Sequence, residues 1–118
     1  EKNVFNPYRY YGGKSLHQQS HSESFNQNSL YILDEPEASL SPQRQLTLLI
    51  TIYELAKQGS QFIIASHSPI LLGIPEAKIL NFDSKEITPI DYQDTESYQI
   101  TELFINNRAG LLNKLLNK

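Results

Sequence analysis

The chain contains no cysteine. That excludes disulfides and thiolate metal sites, and it fits a reducing, cytoplasmic setting. No run of about 18 apolar residues occurs, so no membrane-crossing helix is expected. No signal-peptide pattern is visible, and the protein's own amino terminus is expected to lie upstream of Glu1. Positive charge is also short: a net charge of −3 over 118 residues leaves no overall electrostatic footprint for nucleic acid. A basic patch confined to one face stays compatible with that balance. The hydrophobic content of 39% is low but above that of a disordered chain, and the length suffices for a modest core.

What is present is concentrated in two places. Leu30-Tyr-Ile-Leu-Asp-Glu-Pro36 is an apolar run ending in adjacent carboxylates. The apolar part reads as a strand buried on both faces, as in a parallel sheet with helices on each side. Asp34 and Glu35 then fall at its carboxyl end, where open α/β sheets bind ligands. One such acid can hold a hydrated Mg²⁺, and its neighbour can act as a general base toward water. Asp-Glu-Pro is equally ordinary turn chemistry. The second place is Phe62-Ile-Ile-Ala-Ser66, another apolar run, ending in His67-Ser68-Pro69. Two buried strands separated by one helix make a β-α-β unit, whose right-handed crossover puts both strand ends on one edge.

The helix between them is predicted over Pro42–Gln58. Ser41 is its N-cap, Pro42 its first position and Gly59 its C-terminal stop. Leu46, Leu49, Ile50 and Tyr53 recur at helical spacing and are expected to face the sheet, while Gln43, Arg44 and Gln45 read as solvated. A short helix is expected at Pro69–Leu72 and a third strand at Lys78–Phe82. Glu86–Ile90 alternates like an edge strand carrying Pro89. Tyr98–Asn106 and Ala109–Leu116 read as amphipathic helices. The Leu stripe of the second (Leu111, Leu112, Leu115, Leu116) is expected to pack in a core rather than bind a partner. Residues 1–28 read as loop or irregular, and Tyr8, Tyr10 and Tyr11 beside Arg9 as packing aromatics, with stacking on an adenine ring or a base as the alternative.

The two motifs together resemble the carboxyl-terminal half of ATP-binding-cassette-type ATPases, closest to the SMC-like, AAA-family branch. That branch often reads LDEPE-A-x-L-S-P and later I-I-A-[ST]-H-S-P. The resemblance runs from Leu30 to about Leu72. It implies a P-loop NTPase-type three-layer α/β fold, mostly parallel sheet flanked by helices, present here as a partial domain. It implies ATP and Mg²⁺ as cofactors, with Asp34 holding the metal through water, Glu35 as catalytic base and His67 as the switch histidine sensing the γ-phosphate. Ser39-Leu40-Ser41 is similar to the D-loop; many relatives carry Asp where Ser41 stands, and a hydroxyl can still hydrogen-bond across a dimer interface. Ser20-His-Ser-Glu-Ser24 resembles the signature motif S-x-G-E-S, so that Ser20, with Ser22 and Glu23 beside it, would contact a nucleotide held by a second protomer. Glycine is expected where Ser22 stands. Without that context the segment reads as a flexible polar loop.

Gly12-Gly-Lys-Ser15 looks like the tail of a Walker A loop, but Tyr8 stands where its first glycine belongs. No apolar strand precedes it and no helical pattern comes after it, so it is rejected as a P-loop. His17 and His21 have i, i+4 spacing without a third ligand and are read as loop histidines. Only Asn26, Gln27 and Asn28 separate Phe25 from Ser29, too few for the several-turn helix the resemblance places there at about 1.5 Å per residue. Either that helix has been deleted or residues are missing at that point, the second being the expectation, and the P-loop is expected in residues outside this chain.

The organisation expected is thus 1–28, irregular with a signature-like motif, and 29–118, the Walker B and switch-histidine half of an ATPase domain. The function expected is Mg²⁺-dependent ATP hydrolysis at a composite site formed by homodimerisation around nucleotide, the chain alone binding ATP weakly or not at all. Two alternatives stay open: a non-enzymatic interaction module that has lost its P-loop, and the ATPase subunit of a DNA- or RNA-processing system. The latter comes from the resemblance alone.

Overall fold

Aromatic and β-branched residues favour pleated, packed backbone, and both apolar runs adopt it. In a computed structural model that describes residues 4–5, 29–83 and 85–117, strands β1 (Val4–Phe5), β2 (Leu30–Asp34) and β3 (Gln61–Ala65) form a sheet in that order. Both pairings are parallel, with Val4 opposite Ile32, Leu30 opposite Gln61 and Asp34 opposite Ala65. β1 falls within the stretch read as irregular. Helix α1 (Pro42–Lys57) makes the crossover from β2 to β3. The chain divides into two compact units, Glu1–Pro75 and Glu76–Lys118.

The ends of α1 are set by its caps. Ser41 Oγ accepts a hydrogen bond from Arg44 N at 3.2 Å, and Pro42 occupies the first turn, where no N–H is needed. At the other end Gly59 takes φ 107°, which needs a residue without Cβ. Ser60 N then reaches Leu55 O at 3.0 Å and Gly59 N reaches Ala56 O at 3.1 Å, the paired bonds of a Schellman closure.

The core lies between α1 and one face of the sheet. Leu33 and Leu48 are each only 1% exposed, joined by Leu40, Ile52 and Leu71. Tyr31 and Phe62, opposite one another in the register, stack at 5.0 Å on the same face. Burying one such leucine fully contributes about 1.5–3 kcal/mol.

Three expectations are corrected here. β2 is not buried on both faces: Leu30 is 56% exposed and Ile63 of β3 55%, because among the described residues of this unit α1, Leu40 and Leu71 pack against one side of the sheet. On α1, Leu46 and Ile50 are each 49% exposed, whereas Leu48 and Ile52 are buried and Leu49 packs against them. The helix carries two apolar stripes at helical spacing, and the one holding Leu48 and Ile52 turns inward. Gln45 lies on that inward stripe, half-buried rather than solvated.

In the second unit, β4 (Ile79–Asn81) and β5 (Thr88–Ile90) form their own antiparallel two-stranded sheet, with Pro89 opposite Leu80. The strand expected at Lys78–Phe82 therefore belongs to a separate ribbon, not to the parallel sheet. Helix α2 (Glu96–Asn106) starts at Thr95, whose buried hydroxyl accepts from Tyr98 N at 3.2 Å and donates to Tyr92 O at 2.8 Å. Tyr92 and Tyr98 meet edge to face at 5.0 Å. Helix α3 (Arg108–Leu116) begins directly after Asn107. The expected core packing of its Leu stripe does not occur: Leu115 and Leu116 are exposed, and Leu111 and Leu112 half-buried.

Candidate active site

Parallel, in-register pairing decides where the polar residues go. Because Asp34 lies opposite Ala65, the chain leaves both strands on the same edge of the sheet. Glu35 N donates to Ala65 O at 2.7 Å, carrying the contact one residue past β2. Glu35 then turns with φ 48°, in the left-handed region that costs a side-chain-bearing residue about 1–2 kcal/mol. Ser39 repeats this at φ 68°. The turn is closed by Ala38 N to Glu35 O at 3.1 Å and Leu40 N to Glu37 O at 2.9 Å, over a buried Pro36. Asp34, Glu35 and His67 are all exposed, so the two acids and the imidazole sit on one water-accessible rim.

Side chains that sequence reasoning missed join the two turns. Glu37 accepts from Ser66 Oγ at 2.7 Å through Oε1 and from His67 N at 3.1 Å through Oε2. Ser66 Oγ in turn accepts from Ser68 N at 3.0 Å. Ser68 is buried; its hydroxyl donates to Gln45 Oε1 at 2.5 Å and accepts from Ile70 N and Leu71 N, each at 3.1 Å. Gln45 Nε2 completes the circuit by donating to Leu40 O at 3.1 Å. The acidic turn, the start of α1 and the His67 turn are thus tied by polar contacts in which a buried hydroxyl has all its partners. The only local hint was the second glutamate of Asp-Glu-Pro-Glu and the serines flanking His67.

A family model described as AAA ATPase domain matches residues 9–72, more than half of the chain. The chain belongs to the AAA ATPase domain family. The matched span takes in β2, the acidic turn, α1, β3 and the His67 turn, and it ends within the first unit. No curated protein and no solved structure matches the chain. The AAA ATPase family binds and hydrolyses nucleotides, and the α/β architecture of the first unit accords with it.

Within this AAA domain the structure brings Asp34, Glu35 and His67 together at the sheet edge. Ser41 is exposed and serves as the N-cap of α1. Ser20, Ser22 and Glu23 lie outside the described residues, as do Gly12–Ser15, His17 and His21. Among the described residues no cluster of three or more His, Asp or Glu side chains could cage a metal. A hydrated Mg²⁺ on a nucleotide asks less, one or two carboxylates with waters and phosphate oxygens, and the exposed carboxylate of Asp34 fits that donor set. No helix among the described residues is long and apolar enough to cross a membrane.

Proposed function

We propose that the chain is the Walker B and switch-histidine part of an ATP-hydrolysing domain of the SMC-like branch, with a P-loop NTPase-type three-layer fold completed by residues outside it. The observation that carries this reading is the shared rim: an acidic pair and an imidazole leaving adjacent parallel strands on one edge, inside the span matched by the AAA ATPase family. Glu35 orients and deprotonates the attacking water, and its exposed, left-handed position projects it from the sheet edge. His67 contacts the γ-phosphate and senses its presence. Asp34 would hold Mg²⁺ through water, and that ion supplies charge neutralisation on the phosphates. Ser41 and the signature-like Ser20, Ser22 and Glu23 serve a site shared between two copies, so that ATP binding drives homodimerisation.

Steady-state ATP turnover by the full-length protein tests this, with Glu35→Gln beside it. Glutamine keeps the shape but is a poor base, so turnover is expected to collapse while ATP binding survives. Undiminished turnover refutes the role of Glu35.

A further inference from the structure

We propose that Glu37 is a positioning residue for His67, an inference that rests on the ATPase reading above. The carboxylate uses one oxygen for each of two consecutive residues, Ser66 Oγ at 2.7 Å and His67 N at 3.1 Å. An ionised acceptor makes the stronger class of hydrogen bond, and two such bonds fix direction as well as distance. With Ser68 N on Ser66 Oγ at 3.0 Å, the main chain is held on both sides of His67, while the imidazole itself stays exposed. Glu37 also belongs to the turn that Glu35 begins, its own carbonyl accepting from Leu40 N at 2.9 Å. The residue that activates water and the residue that reads phosphate are therefore referenced to one rigid turn. A shift of the acidic turn moves the His67 backbone with it.

The geometry also predicts what breaks the link. Glutamine at position 37 has one acceptor oxygen and no charge, so its N–H₂ either opposes His67 N–H or forces the Ser66 hydroxyl to turn away and accept, and the pair of charge-assisted bonds is lost either way. The test measures kcat, KM for ATP and thermal midpoint of the full-length protein for Glu37→Gln, His67→Ala, the double variant and Ser66→Ala. The expected result is a kcat about ten- to a hundredfold lower in Glu37→Gln with KM unchanged, since small misplacements of catalytic groups act on rate. The double variant is expected to be no slower than His67→Ala alone, because both changes act through one group. Should Glu37→Gln fail to fold, Ser66→Ala, which removes only one partner of the carboxylate, carries the same comparison with His67→Ala. A wild-type rate in Glu37→Gln, or losses that multiply in the double variant, overturn the proposal. A wild-type protein without turnover, or turnover that survives Glu35→Gln, overturns the ATPase reading and this inference with it. Turnover lost in Glu35→Gln but additive at positions 37 and 67 overturns this inference alone.

Discussion

Glu35→Gly separates the chemistry assigned to this residue from its place in the fold, and the two effects have opposite signs. At φ 48° the glutamate backbone sits where a Cβ costs about 1–2 kcal/mol. Glycine removes that penalty but adds conformational entropy to the unfolded chain, worth about 0.5–1 kcal/mol against folding. The backbone bonds of Glu35 N to Ala65 O and Ala38 N to Glu35 O need no side chain and persist. The Glu35 side chain is exposed, so little packing is lost. The net expectation lies between no change and about 1.5 kcal/mol of added stability. Glu54→Gly in α1 supplies the contrast: it is also exposed, but in a helix interior, where the same replacement costs about 1 kcal/mol. Urea unfolding of the three proteins, compared at equal slope, gives the difference. Turnover measured in parallel should be lost in Glu35→Gly and kept in Glu54→Gly. A Glu35→Gly protein destabilised as much as Glu54→Gly would show that the left-handed backbone is not strained, and the reasoning would fall.

Three further outcomes are expected. Leu33→Ala, at a side chain 1% exposed, should cost about 2–5 kcal/mol, while Ile63→Ala on the uncovered face should cost under about 1 kcal/mol; equal losses in urea unfolding would contradict one-sided burial. Ser68→Ala removes a buried hydroxyl shared by Gln45, Ile70 N and Leu71 N, and should destabilise by about 1–3 kcal/mol, a figure that Gln45→Ala added to it should not double. The Glu102 carboxylate beside Tyr98 pushes the phenol pKa above its ordinary 10.0, first by charge and then by the hydrogen bond that Tyr98 Oη donates to Glu102 Oε2 at 3.2 Å. The neutral phenol is the favoured form in the fold. Its contribution is therefore complete below the ordinary value and fades as pH climbs through the raised one. In an NMR pH titration Glu102→Gln should bring the Tyr98 midpoint back down, and an unmoved midpoint would refute the cause.

The parts of the fold legible in the sequence were those written locally. Ser41-Pro42 and Gly59 marked the ends of α1 because caps depend on residues within one turn of the helix end. The strand ends at Asp34 and Ala65 were marked by abrupt polarity changes, and parallel pairing put the acidic turn and the His67 turn on one rim. The phase of α1 was not legible. Leu46 and Ile50 fit helical spacing as well as Leu48 and Ile52 do, and a polar contact resolves the tie: Gln45 turns inward to meet Leu40 O and Ser68. The Glu37 bridge escaped for a similar reason. Its partners lie 29 and 30 residues away, and no local period encodes a side-chain bond across that distance. The exposed faces of Leu30 and Ile63, and of Leu115 and Leu116, show the limit of composition. An apolar run states what a segment could bury, not whether anything arrives to cover it.

The pairing of Leu30 with Gln61 makes the rim a product of long-range contact. Neither strand can find the other until the intervening chain, α1 included, has closed into a loop, at an entropic cost that local helix formation does not bear. A peptide bearing the acidic turn alone, or the histidine turn alone, therefore holds none of the rim's geometry. The two turns come onto one rim only when β2 and β3 pair.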